Sequence, residues 1–251
     1  MKTVRLFVLA LAATLFALPL LAAPQIAVYR NWDNVQVNKN DLVDFGDAEV
    51  GVPISRLFRI ENHGDQTLSL NPYLGSQSIG FSIITAPAMT VPPGGSTTMR
   101  IRLFTNEDGR YYGYVNIGSN DPVTPLFYWT VTGYVHGPKI SVYQAATGVF
   151  QPDGSTFDYG THPYGSATYR TFRIVNSGTR NLVISNSNSM VGGAGFVQSG
   201  SGPYGIAPGG YGDVTVVFAP GAPGLPWNGD LHISNNDPLR GYYQVLLKGQ
   251  S

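Results

Sequence analysis

Four histidines, His63, His136, His162 and His232, are the side chains best suited to metal or proton chemistry, and they stand isolated in the sequence with no H-E-x-x-H arrangement. His63 falls in a turn and His136 in a linker, so no metal is expected. Gly200-Ser201-Gly202-Pro203-Tyr204-Gly205 spells G-x-G-x-x-G. That spacing cradles a pyrophosphate only where a strand leads in and a helix begins behind it. Ile206-Ala207-Pro208-Gly209-Gly210 cannot begin that helix, so the segment reads as a loop and no cofactor is expected. There is no G-x-S-x-G and no cysteine, which removes a serine elbow, a thiol nucleophile, disulfides and cysteine metal sites. Asp121 and Asp237 each stand in Asn-Asp-Pro. They either hold calcium between domains or cap their own turns. Capping accounts for the proline and for the recurrence without a metal, and Asp44 and Asp158 read the same way. No catalytic set emerges, and the expectation is a protein that is not an enzyme.

Aromatic side chains are the residues with binding potential. Tyr111-Tyr112-Gly113-Tyr114 and Phe127-Tyr128-Trp129 lie in the first half of the chain, Tyr242-Tyr243 in the second. Alternate strand residues face opposite sides, so Tyr111 and Tyr112 cannot both be core. Tyr111, Tyr112, Tyr128, Trp227 and Tyr242 are therefore the candidate partner surface, open to a protein or a glycan. Ordinary strand preference for tyrosine explains the same abundance. Trp227, in Pro223-Gly224-Leu225-Pro226-Trp227-Asn228-Gly229, reads as part of an inserted loop absent from the first half, lying over an inter-domain seam or offered to a ligand.

The elements that must position these residues come twice. Phe58-Arg59-Ile60-Glu61-Asn62-His63-Gly64 returns as Phe172-Arg173-Ile174-Val175-Asn176-Ser177-Gly178. Asp44-Phe45-Gly46 returns as Asp158-Tyr159-Gly160, Pro93-Gly94-Gly95 as Pro208-Gly209-Gly210, and Asn120-Asp121-Pro122 as Asn236-Asp237-Pro238. The order is constant, which marks a tandem repeat. Helical periodicity is nearly absent, and short alternating runs separated by turn residues predict an all-β sandwich in each copy. Strands are expected near Ile26–Tyr29, Leu42–Phe45, Ser55–Asn62, Leu68–Tyr73, Phe81–Ile84, Ser96–Phe104, Gly109–Ile117 and Phe127–Tyr134. The second series runs near Ile140–Tyr143, Thr156–Tyr159, Ala167–Asn176, Leu182–Asn186, Phe196–Ser199, Gly212–Phe218, Gly229–Ile233 and Gly241–Lys248. Asn62 with Gly64, and Asn176 with Gly178, are expected to close hairpins in left-handed backbone.

Met1-Lys2-Thr3-Val4-Arg5, an apolar run from Leu6 to Leu21 and then Ala22-Ala23 have the order of a secretory signal peptide, cleaved after Ala22 or Ala23. The run is short for a membrane span, which takes about 20 apolar residues. Export would remove Lys2 and Arg5 from a balance of 15 basic and 15 acidic residues, leaving a slightly acidic chain without the basic footprint of a nucleic-acid binder. The expected division is a signal peptide over 1–22 and repeats over 24–136 and 139–251, joined by a linker short enough to press the two together. No anchor or third domain is expected after the second repeat.

The punctuation residues resemble those of bacterial Hydin-type Ig-like domains, the repeats of proteins labelled choice-of-anchor D. The carriers are Asp-Phe-Gly, Phe-x-Ile-x-Asn-x-Gly, Pro-Gly-Gly, the strand Val216-Val217-Phe218-Ala219-Pro220, and Asn-Asp-Pro. The first repeat departs at Ile101-Arg102-Leu103-Phe104-Thr105-Asn106. The resemblance implies two tandem Ig-like antiparallel β-sandwiches and a non-catalytic role at the cell surface or in protein interaction. The expectation is thus a secreted or periplasmic module that binds a protein through sheet edges or end loops. The alternatives are a carbohydrate-binding module using exposed aromatics and a periplasmic assembly factor.

Overall fold

The computed structural model describes residues 22–251, and the expected signal peptide lies outside them but for Ala22. The first repeat forms β1 (Ile26–Arg30), β2 (Gln36–Val37), β3 (Leu42–Glu49), β4 (Ile54–Asn62), β5 (Leu68–Leu74), β6 (Phe81–Thr85), β7 (Thr90–Val91), β8 (Ser96–Leu103), β9 (Gly109–Ser119) and β10 (Leu126–His136). The second forms β11 (Ile140–Gln144), β12 (Ser155–Thr161), β13 (Thr168–Asn176), β14 (Leu182–Val183), β15 (Val191–Gly193), β16 (Phe196–Ser199), β17 (Gly205–Ile206), β18 (Tyr211–Phe218), β19 (Pro226–Ser234) and β20 (Tyr242–Gln250). Among the described residues there is no helix.

Each repeat is an Ig-like sandwich of two sheets. The first pairs β2-β1-β4-β8-β6 against β3-β10-β9-β5-β7, the second β11-β13-β18-β16 against β12-β20-β19-β15, with β14-β17 as a small extra ribbon. Alternation drives this layering. In β8, Met99, Ile101 and Leu103 are buried while Arg100 stays exposed. The first core gathers Phe45, Phe58, Phe81 and Trp129, with Phe58 and Trp129 ring centres 5.2 Å apart. The second gathers Tyr159, Phe172, Phe196 and Phe218 and shares no residue with the first.

Pairings are antiparallel except β3 with β10 and β12 with β20, which run parallel. Both parallel pairs carry a register shift at the Asp-aromatic-Gly landmark. Gly46 and Gly160 take positive φ, and Asp44 and Asp158 accept the N–H of those glycines at 2.9 and 2.8 Å. The repeated triplet is thus a bulge that turns Phe45 and Tyr159 into the cores.

The hairpins expected at Asn62 and Asn176 are not formed. β4 and β5 belong to different sheets, so Asn62-His63-Gly64 carries the chain across the sandwich, and Asn176-Ser177-Gly178 does the same between β13 and β14. Neither Gly64 nor Gly178 has positive φ. A Cβ on Gly64 would lie 2.0 Å from the carbonyl oxygen of Ala23, and one on Gly178 2.2 Å from that of Gly137. These glycines admit the close approach of an incoming strand.

Short strands account for the other departures. β2, β7, β15 and β17 have two or three residues, too few to show a period. The strand expected over Leu182–Asn186 shortens to Leu182–Val183, and β19 begins at Pro226, so Trp227 lies in a strand and not in a loop.

The two sandwiches meet through the short linker. Arg180 Nε donates to both carboxylate oxygens of Glu49 at 3.0 Å. Lys139 Nζ reaches Glu107 at 2.8 Å, and Asp108 accepts from the Gly137 N–H and from the Thr179 hydroxyl. The Arg180 guanidinium holds the Glu49 carboxyl below its ordinary value.

Candidate ligand-binding face

The site is built by β9 and its neighbours. Valine and isoleucine at 115 and 117 face the core, so Tyr112, Tyr114 and Asn116 face outward. Register extends the face sideways. Tyr73 of β5, Asn116 of β9 and Tyr128 of β10 stand in one cross-strand row. Tyr114, Thr130 and Leu42 form the next row, and Tyr112 opens a third. At the other end Asn71, Gly118 and Leu126 close the patch. Strands about 4.8 Å apart and rows about 6.8 Å apart give a surface roughly 10–15 Å wide and 20 Å long.

Tyr73 is 47%, Tyr112 45%, Tyr114 45% and Tyr128 37% exposed, which places four rings of one type in water on a rigid sheet. Lys39 Nζ stands 5.3 Å from the Tyr128 ring centre and Asp44 lies at the far edge; between them the face is uncharged. Amide and hydroxyl groups from Asn71, Asn116 and Thr130 fill the gaps between rings. Such a surface can bind by aromatic contact with a few interleaved hydrogen bonds.

The second sandwich does not repeat this face. Counting along the repeat, Tyr112, Tyr114, Tyr128 and Leu126 correspond to Asn228, Asp230, Gln244 and Tyr242. There, Asp230 accepts from Gln244 Nε2 at 3.0 Å and meets His232 Nδ1 at 3.1 Å. His232 in turn stacks on Tyr242 with ring centres 6.1 Å apart. One fold thus carries two differently dressed outer faces.

Of the five sequence candidates, the structure brings only Tyr112 and Tyr128 together. Tyr111 points the other way, half-buried against the first core, with its hydroxyl donating to the Glu107 carbonyl at 2.8 Å. Tyr242 is exposed, but on the second sandwich. Trp227 pairs with Gly249 and packs against the second core, leaving its indole N–H buried without a partner. It lies at the end of the second sandwich away from the linker, not over the seam, and its partly exposed ring lines a shallow surface pocket with Asp158, Thr161 and Lys248. Tyr73, Tyr114, Leu42 and Leu126 were missed. Parity carried the signal for two of them: Tyr114 shares it with Tyr112, and Tyr73 shares it with the exposed Ser69 and Asn71.

The other polar candidates spend themselves on the main chain. Asp121 accepts from Ile26 N at 3.0 Å and from Val123 and Thr124 N at 2.8 and 3.1 Å. Asp237 accepts from Ile140, Leu239 and Arg240 N in the same pattern. Among the described residues no three His, Asp or Glu side chains gather as a metal site. Gly200–Gly205 links β16 to β17, with no helix behind it. No helix among the described residues is long and apolar enough to cross a membrane.

No family model matches the chain. No curated protein matches it either. Among solved structures it is similar to a protein of unknown function from Porphyromonas gingivalis W83, with TM-score 0.35 and 14% identity over 90% of this chain and 99% of that one. It is similar to the periplasmic chaperone SfaE, with TM-score 0.31 and 14% identity over 90% and 99%. A PapD-like domain of human CEP192 gives TM-score 0.32 and 14% identity over 52% of this chain and 96% of that one. None of these likenesses bears on the tyrosine face.

Proposed function

We propose that the chain is an exported, non-catalytic interaction module that holds a partner protein against the tyrosine face of its first sandwich, in the periplasm or outside the cell. The units are residues 24–136 and 139–251, following a signal peptide over 1–22. The observation that carries the reading is the repeat-specific patch of Tyr73, Tyr112, Tyr114 and Tyr128 with Leu42 and Leu126. Tyrosine is enriched at protein interfaces because it supplies a large rigid area with a polar tip. The sequence alone suggests binding through sheet edges or end loops; the tyrosine patch favours a sheet face. The basic, apolar and small-residue order of the first residues supports export.

A second reading, a carbohydrate-binding module, draws on the alternation of rings with Asn71, Asn116 and Thr130, since sugars are held by aromatic stacking plus amide and hydroxyl bonds. One experiment separates the two. Wild type and the triple variant Tyr112→Ala, Tyr114→Ala, Tyr128→Ala are used as bait against envelope and medium of the host, and in parallel on a glycan array. Proteins retained by wild type and lost by the triple variant support the protein reading. Face-dependent glycan signal with no such protein supports the second. Identical retention by both baits refutes the face as the site.

A further inference from the structure

The turn that follows the first strand of each sandwich has the same backbone in both copies and a different cargo. In the first repeat Arg30 N donates to Val35 O, Asn34 N to Arg30 O and Asn31 N to Leu57 O, each at 2.9 Å. In the second, Gln144 N donates to Val149 O, Gly148 N to Gln144 O and Ala145 N to Thr171 O, again each at 2.9 Å. Asn34 and Gly148 occupy the same left-handed position, with φ of 58° and 68°. The turns therefore match residue for residue, and Trp32 stands where the second repeat has Ala146.

Trp32 seats its indole on the side of the first sandwich. The ring meets Phe58 edge-on with centres 5.5 Å apart, and the guanidinium groups of Arg30 and Arg56 lie 5.7 and 5.4 Å from it. Phe58 and Arg56 have counterparts in Phe172 and Arg170. With only a methyl group at Ala146, the second sandwich has at this place an open groove of about 380 Å³, walled by Ala146, Phe157, Tyr169, Arg170 and Phe172. That volume falls in the roughly 300–1,000 Å³ range of small ligand sites.

The walls suit an aromatic ring. Phe157 replaces Val43 of the first repeat and meets Phe172 edge-on at 5.2 Å, so the groove gains a second aromatic wall. Arg56 is half-buried and donates to the Phe45 carbonyl at 2.7 Å, whereas Arg170 is exposed and bonds only to the adjacent Tyr169 carbonyl, at 3.0 Å. Its guanidinium is placed to close over a ring as Arg56 does. Gln144 and Thr147 also line the groove; the Thr147 hydroxyl donates to Gln144 Oε1 at 3.0 Å, which leaves the Gln144 amide nitrogen, Nε2, to meet a peptide carbonyl.

We propose that this groove is a receptor for a tryptophan-like side chain presented by a partner polypeptide. The first repeat supplies the argument for the occupant: the matching groove there is filled by an indole that a polypeptide turn delivers. The inference does not rest on the tyrosine face, which lies on the other sheet of the other sandwich.

The test uses purified protein with 5-fluoroindole and N-acetyl-tryptophanamide as probes, followed by ligand-observed NMR. Both are expected to bind saturably. Ala146→Trp, which copies the first repeat into the second, is expected to weaken probe binding at least tenfold and to raise the melting temperature of the second sandwich. Should that variant fail to fold, Arg170→Ala, an exposed change, is expected to weaken binding about threefold or more through loss of the ring contact. Trp32→Ala is expected to open a second probe site. The tyrosine triple variant is expected to bind the probes as wild type does. Absence of saturable binding to wild type, or binding unchanged in both Ala146→Trp and Arg170→Ala, overturns the proposal. Binding of 5-fluoroindole without N-acetyl-tryptophanamide overturns the polypeptide as its source and leaves a free small aromatic.

Discussion

Replacing Asn62 or Asn176 by alanine should destabilise one sandwich at a time, with different consequences at the junction. Both side chains are fully buried. Asn176 Oδ1 accepts from Lys139 N at 3.2 Å and Gly178 N at 3.1 Å, while Nδ2 donates to Arg180 O at 2.7 Å and Ile206 O at 2.9 Å. Asn62 makes the matching set with Gln25 N, Gly64 N, Gln66 O and Val91 O. Alanine removes all four bonds at once. At about 1 kcal/mol net for each bond, and more for buried groups left unpaired, each variant should lose about 3–5 kcal/mol. For a sandwich of this size that lowers the melting midpoint by more than about 10 °C. Calorimetry should show the first transition moving in Asn62→Ala and the second in Asn176→Ala, with the exposed Asn188→Ala as control. Asn176 also anchors the turn that carries Thr179 and Arg180 to the first sandwich, so its variant alone should broaden the inter-domain distance measured by two-site spin labels. A loss below about 1 kcal/mol in both variants would refute the reasoning, since it would mean that the four backbone partners find substitutes without cost.

Burial pushes the Tyr243 hydroxyl up to about 12, and burial raises Tyr159 as well. A raised folded value means stability that is complete below the unfolded value of 10.0 and lost as pH climbs toward 12. Tyr243 alone should cost the second sandwich about 1.4 kcal/mol by about pH 11. The first sandwich, with Phe45 and Phe127 at these places, should resist. Melting curves of the double variant Tyr159→Phe, Tyr243→Phe should lose this alkaline sensitivity, and equal sensitivity would refute it. Glu49→Ala should leave both melting transitions within about 1 kcal/mol, because exposed ion pairs contribute little, yet widen the inter-domain distance distribution. The Glu49 carboxyl is held below its ordinary 4.5, so the wild-type pair should persist above that pH and open as pH falls through the lowered value. Spin-label distances across a pH series check both statements.

Much of the architecture was legible because it is written locally. Alternation in β8 and β9 assigns each residue to a face, and the recurrence of Asp-aromatic-Gly and Asn-Asp-Pro marks equivalent points in both sandwiches. Alternation also separated Tyr111 from Tyr112. Gly64 and Gly178 stand out in the sequence as turn glycines, yet a close backbone approach and not a left-handed φ is what requires them. Positive φ is a property of one residue, whereas the clash that excludes a Cβ comes from Ala23 and Gly137, 41 residues earlier in each repeat.

What determined the candidate face was tertiary. Tyr73 reaches Tyr128 only because β5 and β10 both pair with β9, a neighbour relation that no periodicity along one strand contains. Trp227 left its expected loop because β20 continued to Gln250 and drew Pro226–Ser234 into the sheet as its partner. The groove at Ala146 is likewise invisible in the sequence, where Ala opposite Trp in an alignment of the repeats is one difference among many. It becomes a site only when Phe157, Phe172 and Arg170, brought in by two other strands, stand around the missing ring. By itself the sequence determined strands, faces and the repeat, since side-chain direction follows from backbone geometry at each residue. Which faces join into a surface was decided by strand order, which is fixed by non-local pairing and burial in the folded chain.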